Sequence, residues 1–184
     1  LSNLEKNIDS LECVLDYVSS HLEEGYPGQL TCKTTYTLTN KNEFIINFEA
    51  ESDNDTIINL TNHNYWNFHG HNFNYKNIED HIIKINGQYY CESDKDLIPT
   101  GKLLRVEKSN LNFLEFKKLN KNTLQDNGID TCYCVSDNVF LDLIELNESN
   151  LKEVATAYSD ITKMGCIMYA NKPGLQFYTG NMMN

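Results

Sequence analysis

The sequence predicts an all-β fold, an antiparallel sandwich or barrel. Three observations point there: apolar and polar residues alternate with period two, short β-rich runs are separated by polar turns, and few segments have helical spacing. Leu30, Cys32, Thr34, Tyr36 and Leu38 alternate with Thr31, Lys33, Thr35, Thr37 and Thr39, the pattern of a strand with one half-buried face. Asn40-Lys41-Asn42 supplies a turn, and Phe44, Ile46, Phe48 and Ala50 restart the alternation, so this stretch reads as a hairpin. Shorter β-like runs follow at 81–85, 103–106, 132–135, 139–146, 151–158 and 166–169. Glu148-Ser149-Asn150 is the expected turn between the fourth and fifth of them. Only residues 3–15 and 111–124 have spacing that predicts short helices, the second through Leu111, Leu114 and Lys118. No composition break divides the chain, so residues 1–184 are expected to form a single domain.

Composition narrows the classes of partner. With 40% hydrophobic residues and 11% aromatics the chain can bury a core. Its net charge of −11 opposes phosphate backbones and anionic lipid surfaces, so neither nucleic acid nor membrane is an expected partner. The apolar runs are far too short for a transmembrane helix, and residues 1–10 lack the basic and apolar regions of a secretory signal. Six cysteines are spread without the spacing of a disulfide framework or of paired C-x₂-C zinc units. They read as free thiols in a reducing, cytoplasmic setting. Cys132 and Cys134 share one face of a strand, which argues for packing over a C-x-C redox role. The sequons at Asn54, Asn59 and Asn147 are expected by chance in so asparagine-rich a chain.

The densest chemistry lies in Ile58-Asn59-Leu60-Thr61-Asn62-His63-Asn64-Tyr65-Trp66-Asn67-Phe68. Amides, a hydroxyl, an imidazole and three aromatic rings are what a sugar site needs: fixed donors and acceptors for hydroxyls, and flat apolar faces for the ring C–H surfaces. His69, His71 and His81 follow in the chain, but no carboxylate or thiol completes a ligand set at usual spacing, so no metal is expected.

Read in order, this segment resembles the N-L-T-N-H-x-Y-[FW]-N signature of the aldose 1-epimerase family. Four further segments resemble family motifs in the same order. Glu23-Glu24-Gly25-Tyr26-Pro27-Gly28-Gln29-Leu30 is similar to E-E-G-Y-P-G-x-L, and Ile98-Pro99-Thr100-Gly101 to I-P-T-G. Gly128-Ile129-Asp130 is similar to the start of G-x-D-H-N-F, and Pro173-Gly174-Leu175-Gln176-Phe177-Tyr178-Thr179-Gly180-Asn181 to P-G-[VL]-Q-F-Y-T-G-N. The resemblance covers about residues 11–184. It implies a large antiparallel β-sandwich of the galactose-mutarotase type and interconversion of the α and β anomers of free aldohexoses, with no cofactor. A general acid protonates the ring oxygen while a general base takes the C1 hydroxyl proton; the ring opens, C1 turns, and closure reverses the roles. The resemblance makes His63 the acid, a role suited to an imidazole titrating near neutrality. It implies that His63, Tyr65, Asp130 and Gln176 contact the sugar, and that the protein is a monomer or weak homodimer.

The family's general-base glutamate is expected downstream of Asn184, and a second active-site histidine upstream of Leu1, so the chain is expected to be a partial domain. No glutamate here matches the base by motif. After Asp130 the family's H-N-F is replaced by Thr131-Cys132-Tyr133, which leaves Asp130 but changes its neighbours, and an insertion is expected around residues 146–152. A non-catalytic carbohydrate-binding relative is the alternative function. A hexose-6-phosphate mutarotase would want several arginines around the phosphate, and Arg105 is the single arginine.

Overall fold

The alternating run from Leu30 becomes a ten-residue strand in the computed structural model, which describes residues 3–6 as backbone together with 9–71, 78–124, 128–136 and 151–183. Twelve strands are seen among these residues. β1 (Asn3–Lys6), β2 (Ser10–Ser19), β3 (Leu30–Thr39) and β4 (Phe44–Ser52) form one antiparallel sheet in chain order. The β3–β4 hairpin falls where the alternation predicts it, and its turn places Asn42 at φ 61°, a conformation asparagine tolerates better than most residues. This sheet belongs to the first of two compact units, residues 1–64.

The second unit, residues 65–184, holds two antiparallel sheets. One has the order β11 (Gly165–Ala170), β10 (Lys152–Ser159), β5 (His81–Ile85), β8 (Lys117–Lys118). The other runs β12 (Gly174–Tyr178), β9 (Asp130–Cys134), β6 (Tyr89–Ser93), β7 (Pro99–Arg105). Between them lies the core. Ile83, Ile85 and Val154 come from the first sheet and Tyr133 from the second, with Phe113, Leu119, Val106 and Ile129 from the connections. Tyr133 is fully buried, and its hydroxyl donates to the Leu111 carbonyl at 2.9 Å, so the polar end of the ring is satisfied inside an apolar layer. The result is a β-sandwich, as the sequence predicts.

Both expected helices are corrected. Asn3–Lys6 form β1, and residues 10–15 are the first part of β2. The whole of β2 pairs with β3, from Ser10 opposite Thr39 to Ser19 opposite Leu30, and a ladder of that length overrides a weak local helical pattern. Residues 111–124 are mainly irregular, apart from the short strand β8 and the single helical turn α1 (Lys121–Leu124). Here the backbone is drawn to the sheet edge: Ile85 N–H donates to Phe113 O and Leu119 N–H to His81 O, each at 2.8 Å. The run expected at 139–146, its following turn and most of the expected insertion lie outside the described residues.

Candidate active site

In β9, Tyr133 points into the core, so Asp130, Cys132 and Cys134 share the opposite face. In β12, Leu175 and Phe177 pack toward the core, which turns Gly174, Gln176 and Tyr178 outward beside them. The register sets Gln176 opposite Cys132 and Tyr178 opposite Asp130. Gln176 therefore reaches Asp130 on the diagonal, and its Nε2 donates to Asp130 Oδ1 at 2.7 Å. Two motifs whose key residues lie 46 positions apart in the chain thus meet in one hydrogen bond.

Local chemistry locks this register. Gly128 has φ +67°, and a Cβ there would come within 2.6 Å of both Asn181 Cβ and Thr179 Oγ1. The glycine lets residues 128–129 lie against the end of β12, where Ile129 N–H donates to Thr179 Oγ1 at 2.7 Å and Thr179 N–H to Ile129 O at 2.9 Å. These bonds hold Asp130 level with Tyr178. At the end of β12 the Tyr178 hydroxyl accepts from Met182 N–H at 2.9 Å, which fixes its ring. The Tyr65 ring then stands edge-on to Tyr178, centroids 6.0 Å apart, and Trp66 stacks on Phe68 at 6.3 Å. Tyr65 and Trp66 remain more than half exposed.

Cys132 lies on the same face, directly opposite Gln176 on the neighbouring strand. Burial first, and then the adjoining Cys91 thiol, push the Cys132 pKa up to about 11; the same causes push Cys134 up to about 12. Both stay protonated near neutrality, and thiols in that state are poor nucleophiles. All six cysteines are free. The departure from H-N-F thus puts a neutral thiol on the site face, while Tyr133 serves the core.

Of the four site residues expected from sequence, Asp130 and Gln176 are in contact and Tyr65 packs on Tyr178. His63 lies in the first unit, on an irregular exposed segment, two positions before Tyr65 in the chain. The sequence reading missed Tyr178, although the period-two pattern of Gly174-Leu175-Gln176-Phe177-Tyr178 already places it on the face of Gln176. Among the described residues no group of three His, Cys, Asp or Glu side chains is arranged to hold a metal ion. His69 and His81 do approach, with ring centroids 4.3 Å apart, but His81 spends both ring nitrogens on backbone groups.

The outward sheet face of this β-sandwich thus carries a carboxylate, a carboxamide and a flanking pair of tyrosines. The family model for aldose 1-epimerase matches residues 3–184, and this chain belongs to the aldose 1-epimerase family. It is 35% identical to a human galactose mutarotase over 171 residues, covering 91% of this chain and 46% of that protein. To an aldose 1-epimerase of Streptococcus thermophilus it is 29% identical over 157 residues, covering 85% and 42%. Among solved structures, a galactose 1-epimerase from Lactobacillus acidophilus superposes with a TM-score of 0.82 at 24% identity, covering 99% of this chain and 51% of that one. The chain spans about half the length of the curated relatives it matches.

Proposed function

We propose that the protein is an aldose 1-epimerase that interconverts the α and β anomers of free aldohexoses such as glucose and galactose. The Asp130–Gln176 pair carries this reading: a carboxylate and a carboxamide held 2.7 Å apart on an outward face suit adjacent sugar hydroxyls, one as acceptor and one as donor and acceptor. In this reading His63 is the general acid that protonates the ring oxygen, and Tyr65 packs against the C–H face of the sugar. No residue of the chain is assigned as the base. Six free thiols support a reducing, cytoplasmic setting, and the net charge of −11 supports a small neutral ligand over nucleic acid or membrane. We read the protein as one domain and as a monomer or weak homodimer. Polarimetry of fresh α-D-glucose and α-D-galactose, with and without the complete polypeptide, tests the proposal. A faster relaxation supports it, and an unchanged relaxation for every aldohexose refutes it. Sugar binding without acceleration would instead mark a non-catalytic carbohydrate-binding relative.

A further inference from the structure

A histidine outside the site holds the loop that carries Tyr65 and Trp66. Phe68 N–H donates to His81 Nε2 at 2.9 Å, so this nitrogen bears no proton. His81 Nδ1 lies 2.9 Å from the Ile78 carbonyl, which can only accept, so this nitrogen carries the proton. The ring is thus a neutral imidazole in one tautomer, bridging two backbone groups on either side of residues 69–77. It is 3% exposed, tilted against Phe68 at 5.8 Å and against His69 at 4.3 Å. Phe68 is also held from its other end, where the Thr162 hydroxyl donates to the Phe68 carbonyl at 2.6 Å. Both amide groups of Phe68 are clamped by side chains of the β11-β10-β5-β8 sheet and its turn, three residues after Tyr65, which packs on Tyr178 opposite Asp130.

We infer that His81, with Thr162, is a positioning residue for the sugar site: it fixes the peptide of Phe68 and thereby the seat of Tyr65, and it does so only as the neutral imidazole. The inference rests on the mutarotase reading for its link to sugar. The groups around His81 are His69, Glu79 and Asp80 on the preceding turn, Lys118 on β8 paired with Asp80 at 2.7 Å, and Ser159 opposite on β10. Burial, and then His69, hold the His81 pKa below the usual histidine value, while the carbonyls and Asp80 oppose them. A proton on Nε2 would turn the acceptor of Phe68 N–H into a donor. The clamp is therefore complete above the ordinary histidine range and is lost as pH falls through the lowered pKa of His81.

The test uses the complete polypeptide and the variants His81→Phe, His81→Gln and Thr162→Val. With His81→Phe, exchange of the Phe68 amide, followed by NMR, should quicken about tenfold or more, because its acceptor is gone. KM for the sugar should rise about tenfold with kcat changed much less. In the wild type KM should rise as pH falls and the clamp is lost; His81→Gln, whose amide oxygen can still accept but does not titrate, should restore part of the protection and remove that rise. Thr162→Val loosens the following peptide, through the Phe68 carbonyl, and should shift KM in the same direction. Unchanged Phe68 exchange in a folded His81→Phe protein overturns the clamp, and changed exchange with unchanged KM overturns its role in the site. A wild-type protein without mutarotase activity refutes the functional reading, and the exchange measurement, which needs no sugar, then still decides the clamp.

Discussion

Replacing Asp130 by Asn tests the core of the proposed site with almost no change of shape. The carboxylate accepts from Gln176 Nε2 at 2.7 Å through Oδ1, leaving its second oxygen as an acceptor toward the outward face. In Asp130→Asn the amide oxygen must turn to Gln176, so the NH₂ group takes the place of the second oxygen. A sugar hydroxyl that donates there would meet a donor. Hydrogen bonds to a charged partner contribute about 1.5–3 kcal/mol against about 0.5–1.5 for neutral pairs, so the loss in sugar binding should be about 1–3 kcal/mol. That corresponds to roughly a 5- to 150-fold rise in KM. Stability should hardly change, because the pair is solvent-facing and an Asn can keep the bond to Gln176. The assay is initial-rate polarimetry over a range of α-D-galactose concentrations, with a thermal melt on the same sample. A folded Asp130→Asn protein with unchanged KM would refute the assignment of this face to the sugar.

Three other outcomes are expected. His63→Gln keeps hydrogen-bonding capacity but removes the titratable proton, so kcat should fall about 10²–10⁴-fold with little change in KM; near-normal turnover would assign the acid to another group. Cys132, with its thiol pKa raised to about 11, should react with iodoacetamide at neutral pH at least about 10²-fold more slowly than an unperturbed thiol near pKa 8.5, and faster as pH rises toward 11. Mass spectrometry of the alkylated peptide reads this, and a rate like that of a free thiol contradicts it. Gly128→Ala forces a Cβ to within 2.6 Å of Thr179 and Asn181 at a positive φ and should cost at least about 1–2 kcal/mol in chemical denaturation, with a weaker site as Asp130 shifts; an unchanged unfolding midpoint would show that the turn relaxes freely.

What was legible in the sequence follows the range of the forces involved. The hairpin of β3 and β4 was readable because each strand alternates by itself and the turn is local. The helix expected at 3–15 was not a strong local preference, and ten residues of pairing with β3 settled the matter, an interaction between partners that local spacing does not weigh. Residues 111–124 were misread for the same reason: their leucines reach the core from irregular backbone tied to His81 and Ile85. In the site, motif order identified Asp130 and Gln176, yet their mutual hydrogen bond depends on the β9–β12 register. The His81 clamp was hidden more deeply. Its partners Phe68 and Thr162 lie 13 residues before it and far downstream, and nothing in either residue type marks it as an anchor.

The same pairing also ties the chemistry of the site to the packing of the core. Along β9 and β12 the residues alternate between the two roles: Tyr133 and Phe177 pack inward, Asp130 and Gln176 face outward. A slip of one residue in β9 would turn every side chain to the wrong face, Tyr133 outward and Asp130 inward. Burying that carboxylate without a partner is far costlier than any gain the slipped pairing could offer. The core therefore selects the register, and the register sets the diagonal that brings Gln176 to Asp130. Phe113, edge-on to Phe177 at 5.5 Å, and the bond from Tyr133 to Leu111 strengthen that selection from the inner side. Gly128 and Thr179 strengthen it from the strand ends. An outward face that looks like a surface feature is thus held to hydrogen-bond accuracy by residues that no ligand would touch.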